Sequence, residues 1–301
     1  MPAGASPQKG NNSMSKIKLM TDSASDIPQE LEKKYDIRIL RFPITLGDKS
    51  FCDRDYDNLE YYKMLKASKD FPTHAQITAF EFEELYKEYF EQGYDDLIYV
   101  AIASLGSATY SNAVMAVDNF YEANPEAKGK FNVHVIDSGN YTGVYGMPLI
   151  RSAEKIEKGA SAEEVVAYMQ DWRANAEVHF GCYTLEFVKR SGRVSTAAAF
   201  VGELMGLRPV IQIKKGVSTT DAKVRGDKAV IPKIVEITAN RIIPQTPYGL
   251  VYADNDEQVK ELAAALTKKL GYPPEMQFRI GGVIAANAGP DLVGAFFKGK
   301  D

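Results

Sequence analysis

The run Leu97-Ile98-Tyr99-Val100-Ala101-Ile102-Ala103-Ser104-Leu105-Gly106-Ser107-Ala108-Thr109-Tyr110-Ser111-Asn112-Ala113 carries the reading of the fold. From Leu97 to Ala103 it is almost unbroken in apolar character, as a central parallel strand covered on both faces would be. Small and hydroxylated residues follow at once, and then a helical pattern with Val114, Val117 and Phe120. A strand that passes into a helix through Ser and Gly aims backbone N–H groups at one point, and the positive end of the helix dipole adds to them. The pattern therefore predicts an anion site centred on Ser107, with Ala108 and Thr109 beside it.

The surroundings of this run alternate strand and helix. Upstream, Ile17 to Met20 reads as a strand, and Pro28 opens a helix to Tyr35 with Ser25 or Asp26 as cap. Ile37 to Leu46 is a second strand region, turned by Gly47-Asp48-Lys49, and Asn58 to Ala67 is an amphipathic helix. Thr78 and Glu81 form a capping box before a helix that Gly93 stops. Downstream come a strand from Val133 to Ile136 and a helix whose Gly143 and Gly146 allow close packing. A further helix, capped at Ser161 to Glu164, reaches Asn175. This order predicts an α/β domain over residues 14–172, a Rossmann-like, mostly parallel sheet with helices on both faces.

Beyond Glu177 the texture changes. Strands are expected at Val178 to Tyr183 and Pro209 to Ile213, the second preceded by a helix ending at Leu204 to Leu207. Lys215-Gly216 then turns a hairpin into Val217 to Val224. A strand at Gly249 to Ala253, a helix at Asp256 to Leu270, and short strands at Gln277 to Gly281 and Val283 to Ala286 follow. Hairpins mixed with helices predict a C-terminal α+β domain over 173–301 with a mainly antiparallel sheet.

Composition narrows the function. With 301 residues, 45% hydrophobic and 25% charged, the chain can bury a large core as a globular protein of two domains. A net charge of −4 with scattered Lys and Arg argues against a nucleic-acid surface. No apolar run reaches the ~20 residues of a membrane span. Residues 1–13 are polar, lack the apolar core of a signal peptide and read as a disordered leader, with Met14 as a start. Cys52 and Cys182 are far apart and read as reduced, buried thiols of a cytoplasmic protein.

The chemical motifs are sparse. Asp22 and Ser23 follow the first strand, at the carboxyl edge where open α/β sheets bind ligands. Asp22 and Asp26 are candidate metal ligands, but no matching cluster accompanies them, and turn and cap roles are the simpler account. Leu105-Gly106-Ser107-Ala108-Thr109 departs from the G-x-S-x-G hydrolase elbow. Of the three histidines, His134 and His179 fall inside strands and His74 in a loop. A hydrolase or acyltransferase using Ser107 with His74 is thus the enzymatic alternative, although nothing orients His74 as a triad requires. Neither a P-loop nor a dinucleotide fingerprint occurs, and Gly139-Asn140-Tyr141-Thr142-Gly143 is better explained by helix packing. Lys189-Arg190-Ser191-Gly192-Arg193 reads as a basic loop that matters where it meets an acidic group.

Together these motifs resemble the DegV family of bacterial fatty-acid-binding proteins. Thr21-Asp22-Ser23 with Asp26, Ser104 to Ala113, Val135 to Ser138, Leu185 to Ser195, Arg208 to Ile211, Val224 to Gly226, and Gly289-Pro290 follow in family order. The resemblance implies a long-chain fatty acid held in a tunnel between two domains, with its carboxylate at Ser107 and Thr73. It implies a binding protein without catalytic residues, metal or cofactor, which supplies the acid to a separate fatty-acid kinase. Arg190 and Arg193 would support the ligand or contact the kinase. The chain departs from the pattern where the family carries His before its final Gly-Pro-Gly: here Asn287 precedes Ala288-Gly289-Pro290-Asp291. The Thr73 loop also differs, and His74 within it is a candidate to stand in for that histidine. A small acid or another amphiphile is the alternative ligand class.

Overall fold

A computed structural model describes residues 15–193 and 206–300. The expected leader, Met14, Ser195 and the helix end at Leu204 lie outside the described residues. The chain opens with β1 (Ile17–Asp22), α1 (Gln29–Lys34), β2 (Arg38–Leu40), and the pair β3 (Pro43–Leu46) and β4 (Lys49–Cys52). Next come α2 (Asn58–Ala67), the two-residue strand β5 (Thr73–His74), α3 (Ala79–Glu91) and β6 (Asp96–Ala101). The helices α4 (Thr109–Ala123), α5 (Gly143–Glu157) and α6 (Ala162–Asn175) follow, with β7 (Asn132–Asp137) between the first two.

Strands in the order β2-β1-β6-β7 pair in parallel throughout. All of β6 is buried, with Leu97 opposite Lys18 on one side and Val133 on the other. Its continuous apolar run thus serves a strand covered on both faces. Phe82 of α3 packs on Tyr99 with ring centroids 4.9 Å apart, and Tyr145 of α5 donates to Asp22 at 2.6 Å. Both expected capping boxes form, at Thr78 with Glu81 and at Ser161 with Glu164. A small antiparallel sheet, β4-β3-β5, places His74 opposite Ile44.

The remainder is built from β8 (Ala176–Cys182), α7 (Glu186–Ser191), β9 (Leu207–Lys214), β10 (Val217–Arg225), α8 (Val230–Arg241), β11 (Tyr248–Tyr252), α9 (Asp256–Leu270), β12 (Met276–Arg279), α10 (Gly282–Ala288) and β13 (Leu292–Lys298). Six strands pair as β10-β9-β8-β13-β11-β12, antiparallel except between β11 and β12. Lys215 and Gly216 turn the β9–β10 hairpin, both with positive φ (52° and 81°), as a two-residue turn matched to strand twist requires.

Five expectations need correction. Val283 to Ala286 is not a strand but part of α10, because Asp26 and Asp53 from the first half accept the Gly281 and Gly282 N–H groups at 2.8 and 3.0 Å. A four-residue apolar run fits either state, and these distant carboxylates select the helix. The inner strand β13 was not anticipated; its Gly294 lies where a side chain would collide with Phe180 and the His179 carbonyl. Asp26 does not cap α1, which Pro28 precedes; it sits left-handed (φ 53°) and serves α10 instead. Lys189 and Arg190 belong to the last turn of α7, which Gly192 ends at φ 68°, rather than to a loop. Finally, Cys182 is buried, with desolvation pushing its thiol up to about 12, whereas Cys52 is exposed.

Candidate functional site

Along β8, Val178 and Phe180 line a cavity together with Ile213 of β9, Val251 of β11 and Leu292 of β13. The opposite wall is Ile102 and Gly106 after β6, and Tyr141 and Thr142 before α5. Ile280 and the α10 residues Val283, Ile284, Asn287 and Ala288 close the side. The cavity holds about 710 Å³ of atom-free space, its opening included, and its walls are overwhelmingly apolar.

Polar groups collect at one place. His74, Arg193 and Asn287 line both this cavity and an adjoining groove that Phe71, Thr73, Phe187 and Arg190 also border. Arg193 and Gly106 border a second groove, beside Leu105 and the Gly216 turn. The mouth is therefore where β5, the end of α7 and the end of α10 meet. His74 Nε2 lies 2.9 Å from Asn287 Nδ2, and its ring meets Phe42 edge-on with centroids 6.3 Å apart. Burial and the Arg193 cation both hold the His74 imidazole below its ordinary pKa, against the opposing contact with Asn287. Burial raises the Tyr141 hydroxyl, and the same Arg193 charge opposes that rise.

The sequence-predicted residues fall into three groups. His74, Arg193 and Asn287 stand on the cavity wall, and exposed Thr73 and Arg190 stand on the groove, Arg190 over the Phe71 ring at 3.8 Å. Ser107 and Ala108 follow the lining residue Gly106 and lead into α4, which Thr109 opens, but none of the three lines the cavity. Ser107 Oγ lies 2.9 Å from Thr109 Oγ1 and accepts the Thr109 N–H at 3.3 Å. Thr109 Oγ1 in turn accepts from Ile77 N at 3.4 Å, and Asn112 donates to Ile77 O at 2.8 Å, anchoring the segment that follows His74. His74 is in a strand and not in the loop expected from the sequence, and the hydroxylated start of α4 thus holds the segment that follows that strand in place. No hydrogen bond joins Ser107 to His74 among the described residues.

Asp22 and Ser23 form the third group, buried behind the wall. Asp22 accepts from Ile102 N (2.8 Å), Tyr99 OH (3.1 Å) and Tyr145 OH (2.6 Å), and desolvation still raises its pKa to about 6. Its effect on the cavity is to fix the backbone of Ile102. Ser23 Oγ accepts the Phe42 N–H at 3.3 Å, beneath the ring that meets His74. Among the described residues no His, Cys, Asp or Glu cluster is placed to hold a metal, and no helix is long and apolar enough to cross a membrane. His179 is fully buried between Glu177 (3.4 Å) and Asp221 (3.1 Å), on the sheet face away from the cavity.

Tyr141 is the residue that sequence reasoning missed. A Cβ on Gly106 would collide with its hydroxyl, so this glycine lets the phenol reach the wall. The available signal was an aromatic residue in the loop after a parallel strand, where α/β sheets place ligands. The neighbouring glycines pack as expected: Gly143 faces the Phe278 ring, and Gly146 the Ser25 carbonyl.

The model of the DegV family, whose members it describes as uncharacterised, matches residues 16–300. A DegV domain-containing protein of Caldanaerobacter subterraneus subsp. tengcongensis is 31% identical over 290 residues, covering 95% of this chain and 100% of the relative. A protein of Thermotoga maritima described as a fatty acid-binding protein is 29% identical over 290 residues, covering 93% of this chain and 96% of its own. Among solved structures, a DegV family protein from Thermus thermophilus, described by its fatty acid binding, superposes with a TM-score of 0.81 at 27% identity, covering 95% of this chain and 100% of its own.

Proposed function

The chain belongs to the DegV family, and on that premise we propose that it binds a long-chain fatty acid, tail in the apolar cavity and carboxylate at the polar mouth. The observation that carries this reading is the meeting of one apolar cavity with His74, Arg193 and Asn287 at its opening. Relatives described as fatty-acid-binding support the ligand class. About 14 buried methylenes at ~0.8 kcal/mol each are worth on the order of 10 kcal/mol gross, less the cost of association. Head-group hydrogen bonds add a few kcal/mol at most, so the tail governs affinity and the mouth governs orientation. Ser107 and Thr73, beside the lining, complete the proposed carboxylate site.

In this reading the protein is a carrier rather than an enzyme, and it presents the acid to a fatty-acid kinase. Arg190, exposed on α7 at the groove, supports that contact. The pairing of Ser107 with Thr109, and of His74 with Asn287, leaves the hydrolase alternative without a nucleophile–base contact. Mass spectrometry of ligand extracted from the purified protein tests the reading, and a C14 to C20 acid is the expected finding. Protein that is empty and takes up none of these acids when offered them would refute it.

A further inference from the structure

We infer that Asn287 is a positioning residue that holds His74 as a neutral imidazole protonated at Nδ1, so that a bound head group meets Arg193 as its cation rather than an imidazolium. The second half of this inference rests on the fatty-acid reading; the first half does not.

Asn287 Nδ2 lies 2.7 Å from the carbonyl oxygen of Val283, one turn back. A carbonyl oxygen can only accept, so the amide nitrogen, which can only donate, must face it. Turning the amide over would press Oδ1 against that carbonyl. The same Nδ2 lies 2.9 Å from His74 Nε2. One of its two hydrogens serves Val283 and the other points at the imidazole, so Nε2 has to accept. An accepting Nε2 carries no proton, and the ring proton is left on Nδ1.

The surroundings of His74 agree with a neutral ring. Neither of the two cavities it lines includes an Asp or Glu among the described residues, while both include Arg193 and one includes Arg190. Tyr141 faces the cavity from the loop before α5. The strand paired with His74, β3, and the helix carrying Asn287, α10, contain no titratable side chain. Cations and buried apolar surface both oppose an imidazolium, and among the described residues no carboxylate is a cause favouring one.

Nuclear magnetic resonance of the delipidated full-length protein tests the assignment directly, because the chain has three histidines and long-range nitrogen–proton correlations separate the tautomers. At pH 7 the His74 ring is expected with a proton on Nδ1 and none on Nε2. Asn287→Leu removes the donor and should release the tautomer preference. Asn287→Asp presents an acceptor and should move the proton to Nε2 and raise the His74 pKa. Calorimetric titration of the native protein with myristate, in two buffers of different ionisation enthalpy, should show no net proton uptake. An Nε2–H or imidazolium spectrum in the native protein overturns the tautomer assignment, and uptake of about one proton overturns the role given to Arg193. A protein with the Nδ1–H spectrum that takes up neither myristate nor any other C14 to C20 acid would refute the fatty-acid reading and leave the tautomer assignment standing.

Discussion

Asp26 Oδ1 accepts the Gly281 N–H at 2.8 Å, so the turn after β1 holds the start of α10 from across the molecule. Asp53 does the same for the next N–H, that of Gly282, at 3.0 Å. Neither glycine has room for a side chain, since a Cβ at each would approach the accepting oxygen to 2.6 Å. The cavity wall formed by Val283, Ile284 and Asn287 is thereby carried by two carboxylates from the first half of the chain.

Asp26→Ala should therefore cost about 1–3 kcal/mol in urea unfolding, the range for stranding a buried donor. Alanine also fits poorly at the left-handed backbone (φ 53°) that Asp adopts here. Asp26→Asn keeps an acceptor and should recover much of the loss. Fatty-acid affinity should fall in the alanine variant as well, because α10 loses its anchor. Equal stability of the alanine variant and the native protein would contradict this role.

Asp22 yields a prediction in pH. Its folded pKa of about 6 stands above the ordinary carboxylate value, with burial the leading cause. The protonated form is thus favoured by folding. The contribution is complete below about pH 4 and is lost as pH rises through about 6. Relative to Asp22→Asn, in which position 22 no longer titrates, native stability should decline by up to about 3 kcal/mol over that window. Paired unfolding curves at pH 4 and pH 7 measure it, and a difference that does not change with pH would refute the assignment.

Gly106→Ala addresses the mouth. The added methyl would occupy the place of the Tyr141 hydroxyl, which must then withdraw from the wall. Fatty-acid binding is expected to weaken roughly tenfold, about 1.4 kcal/mol. Displacement of a fluorescent acid reads this out, and an unchanged Kd would remove Tyr141 from the site.

Ser107→Ala separates the proposed roles of the α4 start. Loss of a hydroxyl donor to a charged head group should weaken acid binding by ~1–3 kcal/mol. A fluorophosphonate probe should leave the native protein unlabelled. Labelling at Ser107 would instead bring back the hydrolase reading.

Local sequence determined most of the elements because their signals act over a few residues. The buried run of β6 is apolar at every position from Leu97 to Ala101, which only a strand or helix shielded on all sides tolerates. The boxes at Thr78 and Ser161 satisfy backbone donors three residues away, and both helices begin where those residues predict. The ordered motifs likewise placed the chain in its family. Tertiary structure alone decided α10, whose helical state depends on Asp26 and Asp53 far back in the chain. It alone joined His74 to Asn287, 213 residues apart, and brought Tyr141 to the wall through the absence of a side chain on Gly106. A cavity is a surface shared by separate elements, and its residues leave no periodic mark on any one of them. For that reason the polar groups of the mouth, drawn from β5, the end of α7 and α10, could not be read from the run around Ser107.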